Sequence, residues 1–130
     1  MRERLNSLTE QIIGAALAVH PEIGPGMLES ACEACLTFEL ADRGLRVDRQ
    51  KPLPLVYRGV HLDCGYRIDI LVEELVVVEV KSIERLKRVH RAQVLSYLRM
   101  LKRHVGLIIN FNVQWLVRDG VRRIVNDFPE

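Results

Sequence analysis

Several common signatures are missing from this chain, and each absence removes a class of protein. Only three of its 130 residues are cysteine, an odd and small number that argues against a disulfide framework. With no convincing secretory signal, it suggests a reducing, cytoplasmic setting. The four histidines, His20, His61, His90 and His104, show no H-x-x-x-H or H-E-x-x-H spacing, which argues against a histidine-based metallohydrolase. Gly24-Pro25-Gly26 is not followed by the lysine and hydroxyl residue of a phosphate-binding loop. No linker, low-complexity tract or internal repeat divides the sequence, so one domain over residues 1–130 is expected. No apolar run is long enough to span a membrane. The apolar stretch Ile12–Val19 follows acidic and polar residues and continues a helical period with Leu5 and Leu8, so it reads as an amphipathic helix rather than a targeting segment.

What the chain does have is charge set into apolar strands. Asp69 lies inside Gly65-Tyr66-Arg67-Ile68-Asp69-Ile70-Leu71-Val72, and Glu79-Val80-Lys81 ends the run that starts at Leu75. Burying an unpaired carboxylate is costly, so such a group is normally paired, protonated or bound to a cation. Both segments are rich in β-branched residues and flank Glu73-Glu74, which predicts an antiparallel hairpin. Loop parity then decides which side chains meet. A two-residue turn puts Asp69 and Glu79 on opposite faces. A three-residue loop, or a two-residue turn with a bulge, pairs Ile68 with Val80, Ile70 with Val78 and Val72 with Val76, giving one apolar face. That register sets Asp69 opposite Glu79, with Lys81 on the same face because residues two apart on a strand point the same way.

Two facing carboxylates repel unless a hard cation neutralises them, and magnesium accepts such oxygen ligands while keeping several waters. A neighbouring ammonium at Lys81 can orient a metal-bound water. This set suits phosphodiester hydrolysis. The competing account is a solvated, salt-bridged triad on an exposed sheet face.

The D-x9-E-x-K spacing followed by a helix resembles the PD-(D/E)xK nuclease superfamily, and the chain is similar to its small RecB-like GxxExxY branch. Gly26-Met27-Leu28-Glu29-Ser30-Ala31-Cys32 stands where that branch has G-x-x-E-x-x-Y. The segments Gln50–Tyr57, Gly65–Asp69, His90–Leu98 and Gly106–Phe111 continue the match. There are two departures: Cys32 replaces the tyrosine, and Ile68 stands where the superfamily has a proline before the aspartate. The resemblance implies a restriction-endonuclease-like α/β fold, with a mixed central sheet flanked by helices. It also implies Mg2+ or Mn2+ bound by Asp69, Glu79, the Val80 carbonyl and Glu29, with Lys81 and Gln93 completing the catalytic set. Glu29 also suits the first turn of a helix for dipole reasons alone; Glu33, one turn further on, is the weaker candidate. Gln93-x-x-x-Tyr97 resembles a RecB-like element, and His90 lies on the same helical face.

Net charge is only +2, but between Lys81 and His104 eight basic residues meet the single acid Glu84, a local charge of +7. A phosphate backbone is attracted to such a segment; Arg85, Lys87 and Arg88, just past the catalytic strand, are assigned to substrate, with His90 and Tyr97 beside them. Cys32-x-x-Cys35 falls mid-helix without a second pair, so buried small side chains are expected rather than zinc. Helices are predicted from Asn6 or Ser7 to about Val19, Met27 to Arg43 and Val89 to Arg103. Strands are predicted near Val47–Gln50, Leu53–Tyr57, Leu62–Val72, Leu75–Ser82, Val105–Phe111 and Val121–Asn126, with Gln114-Trp115-Leu116 in the last connection. The expected function is metal-dependent cleavage of nucleic acid, DNA ahead of RNA, by a cytoplasmic homodimer. The alternative is a binding or interaction module that keeps the fold without turnover.

Overall fold

A computed structural model describes residues 1–130. Two helices open the chain, α1 (Arg2–Ile23) and α2 (Glu29–Asp42), followed by strands β1 (Val47–Pro52), β2 (Leu55–Tyr57), β3 (Val60–Leu62), β4 (Arg67–Val72) and β5 (Val76–Lys81). Helix α3 (Arg88–Leu101), strand β6 (Val105–Asn110), a π-helical turn (Leu116–Gly120) and β7 (Val121–Val125) complete it. Five strands form one sheet in the order β1-β4-β5-β6-β7. Only β5 and β6 run parallel, because α3 carries the chain across the sheet between them; the other neighbours are antiparallel. This is a mixed α/β sheet flanked by helices, consistent with the restriction-endonuclease-like fold.

The sheet separates two apolar layers. On one face Ile70, Val72, Val76, Val78 and Val80 pack with Leu5, Leu8 and Ile12 of α1 and Cys32, Leu36 and Leu40 of α2. On the other, Leu71, Val77 and Ile108 pack against Val94, Tyr97 and Leu98 of α3. The strands alternate between these layers, which is why they read as nearly continuous apolar runs. Gly106 lets α3 approach: a methyl group there would lie 2.8 Å from a Val94 Cγ and 3.2 Å from the Val77 carbonyl. No helix is long and apolar enough to cross a membrane.

Several boundaries differ from expectation. α1 does not stop at Val19 but continues through Pro21, which sits in its last turn, and Gly24 closes it with its N–H on the His20 carbonyl (2.8 Å). The expected strand Leu62–Val72 is two pieces: β3 pairs with β2 in a separate hairpin turned by Arg58 and Gly59 at φ 51° and 79°, and β4 starts only at Arg67. Cys64, placed in a strand from sequence, is therefore exposed in a loop. Cys32 is buried among core side chains, and burial raises its thiol pKa. The Gln114–Leu116 connection leads into the π-helical turn.

Candidate active site

The β4–β5 connection takes the odd register. Val72 faces Val76, Leu71 faces Val77 and Ile70 faces Val78. Three residues, Glu73 to Leu75, make the turn, with Glu73 and Glu74 left-handed at φ 52° and 57° and the Leu75 N–H on the Val72 carbonyl (2.9 Å). The strained conformation is supported from outside the hairpin: a Glu73 carboxylate oxygen accepts the Arg46 N–H (2.6 Å), and the other accepts from Arg4 (3.0 Å). Those contacts hold the Glu73 carboxyl below its ordinary pKa, the Arg46 N–H most of all.

One step beyond Ile70 and Val78 the pairing ends. The Asp69 N–H donates to a Glu79 carboxylate oxygen (2.8 Å), and the Val80 N–H donates to an Asp69 carboxylate oxygen (2.8 Å). Side chains thus take main-chain donors at this end of the hairpin, and the two carboxyl groups are pinned together. On the other side of Asp69 the β1–β4 register skips Gln50, which sits left-handed at φ 52° within a strand, a costly conformation for a residue with a Cβ. Alternation resets at this point. Ile70 belongs to the α1–α2 layer, but Ile68, two residues before it, packs in the α3 layer. The uniform face expected for Ile68, Ile70 and Val72 therefore fails at Ile68, because the chain twists between the two layers at Asp69.

This twist lets Asp69 meet groups from both sides of the sheet. Gln50 Nε2 donates to Glu33 Oε1 (2.7 Å) and reaches Asp69 Oδ1 (3.4 Å), while Arg49 pairs with Glu33 Oε2 (2.5 Å). Glu33 is buried, and its charge acts on Asp69. Glu29 is exposed at the first residue of α2, and its side chain belongs to none of the ion pairs. Of the two helical glutamates, the second is the one that α2 turns toward the strand acids.

Burial raises the Asp69 pKa, opposed mainly by the Val80 N–H. Glu79 is only 3% exposed; burial first, then the charge of Asp69, lifts its pKa to about 8. The charge of Lys81 lowers both, yet Lys81 belongs to none of the ion pairs in the structure. A buried acid pair that holds a proton at neutral pH offers carboxylate oxygens at which a divalent cation can replace that proton. Magnesium needs only one or two carboxylates because it keeps waters, so the pair fits it.

The α3 side adds a second group. Gln93 Nε2 donates to the Tyr97 hydroxyl (3.0 Å). Tyr97 is buried; burial raises its pKa, helped by the charge of Glu79. Tyr97 therefore lies within electrostatic reach of the acid pair, with Gln93 bonded to its hydroxyl. His90 supports the backbone instead, its Nδ1 accepting the Lys87 N–H (2.9 Å) at the start of α3. Arg85, Lys87 and Arg88 are exposed, and neither they nor the other basic residues from Lys81 to Arg103 belong to an ion pair.

A polar clasp holds the loop after Lys81, and the sequence reading missed it. Asn110, buried at the end of β6, accepts the Ile83 N–H (3.1 Å) and donates to the Ile83 carbonyl (3.0 Å). Asn112 donates to the same carbonyl (3.2 Å) and accepts the Gly26 N–H (2.9 Å). The Ser82 hydroxyl donates to the Met27 carbonyl. These bonds tie the end of β5 to the loop that starts α2. The available sequence signal was Asn110 itself, a polar residue ending an otherwise apolar strand.

The sequence model of the PD-(D/E)XK nuclease superfamily matches residues 6–124. The chain belongs to that superfamily. No curated protein and no solved structure matches it. The PD-(D/E)XK assignment agrees with the architecture: the acid of β4 and the acid and lysine of β5 sit at the end of a hairpin covered by α2 on one side and α3 on the other.

Proposed function

We propose that this chain is a nuclease of the RecB-like GxxExxY branch that hydrolyses phosphodiester bonds with Mg2+ or Mn2+. The observation that carries this reading is the joined carboxyl pair Asp69–Glu79, proton-holding and buried, with the unpaired charge of Lys81 beside it. Asp69, Glu79 and the Val80 carbonyl are the residues that would hold the metal. When bound, the ion supplies an activated water and charge stabilisation on the phosphate. Lys81 orients the attacking water and offsets developing negative charge. Glu33 fixes Arg49 and Gln50, and through Gln50 the orientation of Asp69; Glu29 stands at the rim one turn before it. Gln93, bonded to the Tyr97 hydroxyl on α3, would complete the catalytic set. Arg85, Lys87 and Arg88, with His90 at their edge, attract the phosphate backbone. The expected setting is cytoplasmic, with DNA ahead of RNA as substrate and a homodimer enlarging the surface for nucleic acid.

The test is cleavage of single-stranded, duplex, branched and RNA substrates with Mg2+, with Mn2+ and with chelator. Wild type should cut in a metal-dependent way, and Asp69→Ala and Lys81→Ala should each lose roughly a hundredfold or more. Activity untouched by both substitutions overturns the proposal. Tight binding without turnover in any arm makes the chain a binding module instead.

A further inference from the structure

We propose that the groove between Tyr66 and α3 receives an unstacked nucleobase, so that the substrate of the adjacent carboxylate site is single-stranded or splayed nucleic acid. The choice of substrate rests on the nuclease reading above; the groove is argued from its own walls. Its volume is about 790 Å³, within the roughly 300–1,000 Å³ of ordinary small-ligand sites. Leu55, Val89 and Met100 give it an apolar lining, and Gln93, Ser96 and Arg99 supply polar groups.

Tyr66 is the element that selects the ligand class. The residue is 41% exposed, and its ring makes an edge contact with Tyr97, centroids 6.1 Å apart. Its backbone is fixed as well. The Tyr66 carbonyl accepts the Leu53 N–H (2.9 Å), and the preceding turn is closed by the Gly65 N–H on Asp63 (3.0 Å). A partly exposed aromatic ring that lines an apolar groove can serve as a stacking platform, and stacking accepts any base because every base has a π-face. A base inside a duplex has both faces covered and cannot meet it.

Charge argues for a nucleic acid rather than another flat ligand. A second concavity of about 540 Å³ adjoins the groove, sharing Val89 and His90, and carries Arg85 and Lys87 against the single acid Glu84. Neither cation has an ion-pair partner. A strand whose phosphates run over Arg85 and Lys87 can place one base in the groove. Gln93 joins the two sites: its amide nitrogen serves Tyr97, whose hydroxyl lies in the field of Glu79.

The experiment measures binding of labelled DNA oligonucleotides by fluorescence anisotropy in chelator, so that cleavage does not interfere. The single strand should bind at least about tenfold tighter than the duplex of the same sequence. Tyr66→Leu should weaken single-strand binding about 5- to 50-fold, and Tyr66→Phe should restore it. An abasic site placed along the strand should reproduce the Tyr66→Leu loss at one position and add nothing to it in that variant. Equal binding of duplex and single strand, no effect of Tyr66→Leu, or losses that add at every abasic position each overturn the groove. Cleavage with Mg2+ is measured in parallel. If the binding pattern holds without cleavage, the groove stands and the nuclease reading falls. If duplex is cut and Tyr66→Leu cuts at the wild-type rate, the reverse is true.

Discussion

The two ends of the β4–β5 hairpin are built from the same strands and behave in opposite ways. At the closed end Val72 and Val76, Leu71 and Val77, and Ile70 and Val78 face each other in regular register, all buried. At the open end the pairing stops, main-chain amides are taken by carboxylates, and one acid keeps its proton to about pH 8. The difference teaches where specification lies. The apolar end sets the register, because a one-residue slip would turn the buried set to the wrong face. The polar end then has no freedom: Asp69 and Glu79 are brought together against their own repulsion by residues that have no part in the chemistry.

Removing the charge at the open end should separate the two behaviours most sharply. On the proposed nuclease reading, Glu79→Gln is expected to lower cleavage by roughly a thousandfold, because it removes an oxygen that would bind the metal. Its stability should change in the opposite sense. The folded protein holds the Glu79 proton up to about pH 8, whereas the ordinary value is 4.5. Between those values the native state therefore binds more protons than the unfolded one, and stability falls as pH rises through that window. Asp69, also raised, acts in the same direction. Denaturant unfolding without metal should show Glu79→Gln more stable than wild type at pH 8 by on the order of 2–3 kcal/mol, with little difference at pH 4. Mg2+ should raise the wild-type Tm more at pH 8 than at pH 6, since at lower pH it must displace the proton. A variant that is less stable at pH 8 would mean that the Glu79 carboxyl group stabilises the fold there rather than straining it.

The matching break at the closed end is Ile70→Ala. Ile70 is fully buried opposite Val78, so the cavity should cost about 2–4 kcal/mol in urea unfolding. The folded fraction should keep most of its kcat at low temperature. If kcat falls as far as it does in Glu79→Gln, the closed end is not separable from the chemistry.

The same contrast explains what could be read from the sequence. The hairpin register was legible because Ile70, Val72, Val76 and Val78 repeat with period two on one buried face, and the superfamily spacing marked the acids. Ile68 was misplaced because period two carries no information about a twist, and the twist depends on Gln50 adopting a left-handed backbone that no propensity favours. Glu29 and Glu33 share a helical face, so spacing alone could not rank them; their ranking comes from how far α2 is rotated toward β1, a matter of packing. The clasp at Asn110 joins residues 27 apart to a single loop, and such a long-range hydrogen bond leaves no periodic trace.

That clasp provides a smaller break. Asn110→Ala leaves the Ile83 N–H without its partner and removes one of two donors from the Ile83 carbonyl, at about 1–3 kcal/mol in stability. Because Ile83 follows Lys81 by two residues, kcat should fall about tenfold while oligonucleotide affinity stays near wild type. An equal loss in affinity would assign the loop to substrate binding instead of to Lys81.

The smallest effect is expected at Glu29, and it is the most discriminating for α2. Glu33→Gln weakens the Arg49 pair at 2.5 Å and disturbs Gln50, which touches Asp69, so it should lower kcat about tenfold or more. Glu29→Gln touches neither bond. It removes only a favourable charge from the first helical turn, worth about 0.3–1 kcal/mol, and kcat should stay within about twofold. If Glu29→Gln instead costs as much activity as Glu33→Gln, α2 must rotate or shift when metal and nucleic acid bind. The rim carboxylate would then swing inward while Arg49 and Gln50 keep Glu33 in place, and the broken end of the hairpin would be completed only in the loaded enzyme.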